Sequence, residues 1–131
     1  MAKKKNYYLI LAFALMAMLL GPAACSQTTT SESPLIEALA NGKPTLAGFV
    51  GEECGCKDMK PILKELATEY DGRCNIVVID VAEHKDVASQ YGIMLTPTEV
   101  FLDSTGSEVE RFIGSCSQQE IVDQLIEIGV E

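Results

Sequence analysis

Two cysteines one residue apart, Cys54 and Cys56 in the stretch GEECGCKDMKPIL (51–63), are the residues of this 131-residue chain best suited to chemistry. Thiols this close can exchange with a disulfide, hold a soft ion such as Cu(I), or pack as small apolar side chains. Exchange needs a thiolate, and a helix beginning near Asp58 would offer backbone N–H groups and the positive end of its dipole, both of which lower a cysteine pKa. Lys57 adds a positive charge, while Glu52 and Glu53 oppose it. A disulfide across one intervening residue closes a small, strained ring that is easily reduced, and Gly55 relieves part of that strain. Gly55 and the flanking glutamates make the loop polar, which fits plain packing poorly. The metal alternative takes Cys54 and Cys56 as ligands and His84, the only histidine, as a third.

These side chains need a scaffold, and hydrophobic periodicity predicts one. The short, partly β-branched run at 45–50 reads as a buried strand leading straight to Cys54. Apolar residues at Met59, Ile62, Leu63, Leu66, Ala67 and Tyr70 mark a helix over 58–70, in which Pro61 predicts a kink. Ser33-Pro34 opens an earlier helix that Asn41-Gly42 ends. After the Asp71-Gly72 turn, the unbroken apolar run at 76–79 predicts a central strand covered on both faces. A helix over 85–91 returns the chain, and strands at 98–102 and 107–113 flank a turn at 103–106 as a hairpin. Ser117 with Glu120 forms a capping box for a last helix expected to bury Ile121, Val122, Leu125 and Ile126. The fold class is α/β: a mixed central sheet flanked by helices, in one domain over 34–131.

The N-terminus reads differently. Lys3, Lys4 and Lys5 precede an uncharged apolar run at 9–20, shorter than the ~20 residues that span a bilayer. Residues 1–24 are therefore expected to be a signal peptide. GPAAC (21–25) resembles the lipobox of bacterial lipoproteins, with Pro22 where that family usually has leucine; the resemblance implies acylation at Cys25. Ordinary cleavage, releasing a soluble secreted or periplasmic protein, is the alternative. Residues 25–33 are polar and aperiodic, a flexible tether. Formal net charge is −9, and without the three leading lysines it becomes −12, from seven basic residues against 19 acidic. Such a surface excludes nucleic-acid binding, which needs a concentrated positive face.

Four stretches, in order and at the right spacing, resemble the thioredoxin family across nearly all of 34–130. GKPTLAGF (42–49) is similar to the strand before the active site, and CKDMKPIL (56–63) to the second active-site cysteine with its helix. YGIMLTPT (91–98) resembles the cis-proline segment, and GSEVERFIG (106–114) the last hairpin strand. The resemblance implies that Cys54 attacks and Cys56 resolves the mixed disulfide, and that the backbone of Thr96, beside a cis Pro97, binds an extended substrate segment. Three departures stand out. The family's C-x-x-C is shortened to Cys54-Gly55-Cys56, its usual tryptophan is Glu53, and its buried aspartate, which assists proton transfer, is Gly48.

The pair with His84 also resembles, more loosely, the membrane-tethered copper chaperones of thioredoxin fold, which would bind Cu(I). Cys74 is expected to be an inert core thiol. Cys116 is expected to pack, with a disulfide to Cys54 as its alternative. The resulting expectation is a membrane-anchored, extracytoplasmic thiol-disulfide oxidoreductase of a bacterial cell. It would be monomeric, acting on protein thiols or disulfides with a redox partner protein, and with no cofactor beyond its own disulfide. A non-catalytic binding module of the same fold is the third reading.

Overall fold

A computed structural model describes residues 33–52 and 58–131. The leader, Cys25, the tether up to Glu32 and the Cys54-Gly55-Cys56 pair lie outside the described residues. Ser33 and Pro34 begin the chain's first described helix as their types require. The Ser33 side chain accepts from the Leu35 N–H at 3.3 Å, and Pro34 takes the first position of α1 (Pro34–Leu39), where a missing N–H costs nothing. Strand β1 (Thr45–Val50) is next, and all six of its residues are buried. Helix α2 (Met59–Glu69) then leads into β2 (Asn75–Asp80), α3 (Lys85–Gln90), β3 (Thr98–Leu102), β4 (Glu108–Ile113) and α4 (Gln118–Glu127).

The sheet order is β2-β1-β3-β4, with β1 parallel to β2 and antiparallel to β3, and β3 antiparallel to β4. Successive side chains on a strand point to opposite faces, which divides the core in two. Leu46 and Phe101 face α2 and α4, where they pack with Met59, Leu63, Leu66, Ile121 and Leu125. Ala47, Phe49, Val100 and Leu102 face α1 and α3, packing with Leu35, Val87 and Ala88. Asn75 anchors the start of the sheet: its amide donates to Ala38 O at 2.9 Å and to Thr45 Oγ1 at 3.0 Å, joining α1, β1 and β2.

Three expectations are corrected. The apolar run at 76–79 lies in β2, which is at the edge of the sheet rather than its centre, with Val78 exposed; β1 and β3 are the strands buried throughout. Pro61 is the third residue of α2, inside the first turn, where its absent N–H has no intrahelical partner to lose, so it belongs to the helix start instead of interrupting the helix. Ile126 is 57% exposed and Val122 only partly covered, so α4 buries a narrower stripe of Ile121 and Leu125.

The capping box of α4 forms in full. Ser117 Oγ accepts from the Glu120 N–H at 3.3 Å, while Glu120 Oε2 accepts from the Ser117 N–H at 2.8 Å. Replacing Ser117 with alanine leaves a helix-end donor without its side-chain partner, and is expected to destabilise the protein by about 1 kcal/mol. Urea unfolding of S117A should show a lowered midpoint with an unchanged slope.

Candidate active site

The topology brings several strand ends to one edge. Because β1 and β2 are parallel, their C-termini lie together, and the antiparallel registers add the start of β3 and the end of β4, through Phe49 opposite Thr98 and Thr98 opposite Ile113. The Thr96–Pro97 peptide bond is cis, as the family resemblance implies. Thr96 sits against the end of β1: a Cβ placed on Gly51 would stand 3.1 Å from Thr96 Oγ1 and 3.8 Å from Val81. Around it, Thr98 Oγ1 donates to Leu95 O at 2.8 Å and the Gly114 N–H donates to Pro97 O at 2.9 Å. Apolar side chains are left in solvent at this edge, with Met94 90% exposed, Leu95 65% and Ile113 64%. The same edge carries Lys60, on the first turn of α2, paired with Asp80 at the end of β2 at 3.8 Å.

One register position inward lies a carboxylic acid that the sequence pattern did not single out. Glu99 is fully buried on β3, flanked across the sheet by Gly48 of β1 and Phe112 of β4. It alternates with Val100 and shares a face with Phe101, and therefore points to the side covered by α2 and α4. Cys116, between β4 and α4, donates its thiol to Glu99 Oε2 at 3.7 Å, and Oε1 has no hydrogen-bond partner among the described residues. Burial raises the Glu99 pKa from 4.5 to about 7, with the thiol bond pulling weakly the other way. Burial, then the adjacent Glu99 carboxyl, pushes the Cys116 thiol up to about 12, so this sulfur is a proton donor and a poor nucleophile. The available signal was period two within TEVFL (98–102): a glutamate sharing a strand face with Phe101 inherits its burial.

Gly48 is glycine for a spatial reason. Leu63 of α2 fills the volume a side chain would need, and a Cβ there would overlap Leu63 Cδ1. The sheet thus holds no carboxylate on β1 at this level, and holds one on the neighbouring strand.

Of the residues singled out from sequence, Thr96 and Pro97 come together at the strand-end edge, while Cys25, Cys54 and Cys56 lie outside the described residues. His84 precedes α3 at the end of β2, half-buried, with its backbone N–H donating to Asp80 O at 2.9 Å. Among the described residues no group of three or more histidine, cysteine or acidic side chains is arranged to hold a metal ion, and no helix is long and apolar enough to cross a membrane. Cys74 is buried just ahead of β2, at the opposite edge, and burial raises its pKa to about 11, which agrees with an inert core thiol. Cys116 packs against the α2/α4 core as expected, and in addition holds the bond to Glu99.

Comparison with known proteins places these features in context. The thioredoxin family pattern matches residues 26–127. The chain is 27% identical over 120 residues to the thioredoxin-like protein HCF164, chloroplastic, of Oryza sativa subsp. japonica, covering 89% of this chain and 46% of that one. It is 37% identical over 84 residues to the thiol:disulfide interchange protein TxlA homolog of a Synechocystis strain, covering 62% of this chain and 47% of that one. The chain thus spans about half the length of these two relatives. Among solved structures, thioredoxin NaTrxh from Nicotiana alata superposes with a TM-score of 0.61 at 30% identity, over 71% of this chain and 79% of that one.

The buried acid has a consequence for stability. Its pKa is higher folded than unfolded, so the native state binds the extra proton, and stability falls as pH rises from about 4.5 through about 7. At ~1.4 kcal/mol per pKa unit, wild type is expected to lose about 3 kcal/mol over that window relative to Glu99→Gln, which does not titrate. Urea unfolding of both proteins across pH 4 to 8 checks this, and parallel stability curves would contradict it.

Proposed function

This chain belongs to the thioredoxin family, and on that premise we propose that it is a thiol-disulfide oxidoreductase whose redox centre is Cys54-Gly55-Cys56. The observation that carries the reading is the edge at which β1 ends. The strand runs into the cysteine segment, and the Thr96–cis-Pro97 loop stands against its last residues. An extended substrate strand laid along the Thr96 backbone would have exposed apolar neighbours, Met94 and Leu95, on which to dock.

In the exchange the Cys54 thiolate attacks a substrate disulfide and releases one substrate thiol. Cys56 then attacks the Cys54 sulfur, closing the Cys54–Cys56 disulfide and releasing the second thiol. The protein dithiol loses two electrons and the substrate disulfide gains them; the reverse sequence oxidises a substrate. No cofactor is required beyond the disulfide itself. The substrates are protein thiols or disulfides, and a redox partner protein restores the starting state. The name of the Synechocystis relative, a thiol:disulfide interchange protein, supports this assignment.

The chain works as a monomer on the extracytoplasmic side of a bacterial membrane, held by a lipid on Cys25. The lysine-led apolar run at 9–20, the GPAAC sequence and the polar tether support that location.

Equilibration of the protein with glutathione buffers of graded potential, followed by alkylation and mass spectrometry, is expected to reveal a reversible disulfide between Cys54 and Cys56. Cys54→Ser and Cys56→Ser should each abolish it and return insulin reduction to the uncatalysed rate. Failure of the two cysteines to pair at any potential would sink the redox reading.

A further inference from the structure

The two outer strands of the described sheet are built differently. On one side β4 carries Glu108, Glu110 and Arg111, and its ladder with β3 shifts register between Phe101 and Leu102. Charges and irregular pairing of this kind keep an outer strand from taking on another. On the other side β2 has neither. Its Ile76-Val77-Val78-Ile79 run holds no charge, proline or glycine, pairs with β1 in unbroken register, and leaves Val78 38% exposed. An apolar outer strand this regular is a template for one more strand.

The backbone groups that would pair can be named. The Asn75 N–H donates to Pro44 O at 2.9 Å and the Val81 N–H to Val50 O at 3.0 Å. Between them, strand alternation turns the backbone groups of Val77 and Ile79 toward β1 and directs those of Ile76 and Val78 to the open side. Because α1 and α2 cover opposite faces of the sheet, a cavity lined by both helices and by β2 must open across this side. Such a groove is present, with a volume of about 610 Å³, lined by Ile76 and Val77 of β2, Glu37 and Ala38 of α1, and Ala67 and Asp71 of α2 and the turn after it. Successive residues of an added strand would point alternately toward α1 and α2. They would meet the Glu37 carboxylate on one face and that of Asp71 on the other, with no basic side chain in the lining. Two cations, Lys43 and Arg73, act on Cys74 just ahead of β2. Arg73 is already engaged, donating to Glu69 O at 2.7 Å and Glu131 O at 2.8 Å while lying over the Tyr70 ring. A second copy of this chain would set the same carboxylates, and a net charge of −9, against themselves.

We propose that the open side of β2 is a docking groove for an extended segment of a partner protein that carries basic residues at adjacent positions, one for Glu37 and one for Asp71. The segment adds to β2 as a strand: Ile76 and Val78 make the backbone bonds, exposed Val78 gains cover, and the two carboxylates select for charge. The groove reaches Asn75, where β2 starts, whereas the Thr96–Pro97 loop stands where β1 ends. A partner held in the groove therefore leaves that loop accessible, and docking does not depend on the redox reading of Cys54 and Cys56.

The test uses the full chain and a short, labelled, acetylated peptide of alternating threonine and valine with two adjacent lysines at its centre. Fluorescence anisotropy reads affinity, and amide hydrogen exchange followed by NMR reads the pairing. The lysine peptide is expected to bind and to slow exchange at Ile76 and Val78. Replacing its lysines with glutamates should weaken binding by at least about 10-fold, through like-charge repulsion. Glu37→Gln and Asp71→Asn should each weaken the lysine peptide by about 3-fold at low salt, a difference that high salt removes. N-methylation of the peptide at alternate residues should abolish binding in one of the two phases and spare it in the other. A Cys54→Ser, Cys56→Ser double variant should bind as wild type does, and failure of the redox reading would leave this result unchanged. Equal affinity for the lysine and glutamate peptides, no binding of the lysine peptide, or binding that leaves Ile76 and Val78 exchange unaltered overturns the proposal. So does slow exchange at Ile76 and Val78 in the free chain: if it strengthens with protein concentration the occupant is a second copy, and if it does not the groove is filled by the chain itself.

Discussion

The pairing of β1 with β2 on one side and β3 on the other controls most of this molecule's architecture. Parallel pairing with β2 forces a helical crossover through α2, which lies between the two strands in the chain. Antiparallel pairing with β3 brings the start of β3, and with it the Thr96–Pro97 loop, back to the edge where β1 ends. The edge at which these strand ends meet therefore arises from strand direction alone. The loop that reaches it is tied by two short hydrogen bonds, made by Thr98 and Gly114, to the ends of β3 and β4.

Covering both faces of β1 and β3 has a second effect. A strand with water on neither face admits almost no polar side chains, and in β3 the exceptions are Thr98 and Glu99. Thr98 satisfies its hydroxyl on Leu95 O, whereas Glu99 receives, among the described residues, only a thiol, a weak donor, on one oxygen. An acid so placed prefers its neutral form, which is why its proton affinity reaches the physiological range. Two hydrogen-bonded acids nearer the solvent behave in the opposite sense: Asp103 accepts from Thr105 and Ser107, and Glu108 from Arg111, and each is held below its ordinary value. One kind of group thus plays two electrical roles, divided by water.

Much of this was legible in the residues. Ser33-Pro34, the spacing of Met59, Leu63, Leu66 and Tyr70, and the Ser117–Glu120 box are local signals, and the helices sit where those signals put them. The cis peptide at Pro97 was implied by family resemblance and is present. What the chain concealed was anything dependent on neighbours. The apolar run in β2 suggested a central strand, yet Ile76, Val77 and Ile79 find cover from α1, α2 and α3 at a sheet edge. Pro61 reads as a helix interruption only until the start of α2 is known. Glu99 was overlooked because a charge in a hairpin strand ordinarily faces solvent, and only the placement of α4 and Cys116 above it reveals otherwise.

An acid cannot be accommodated at Gly48 by one substitution, because Leu63 occupies the space its first carbon needs, and shrinking Leu63 would open a void in the core. With Glu99 in place, a second carboxyl at Gly48 would also meet a like charge in the same dry pocket. The leucine beside Gly48 and the acid on the neighbouring strand thus each oppose a carboxyl on β1, and the core itself keeps that position small.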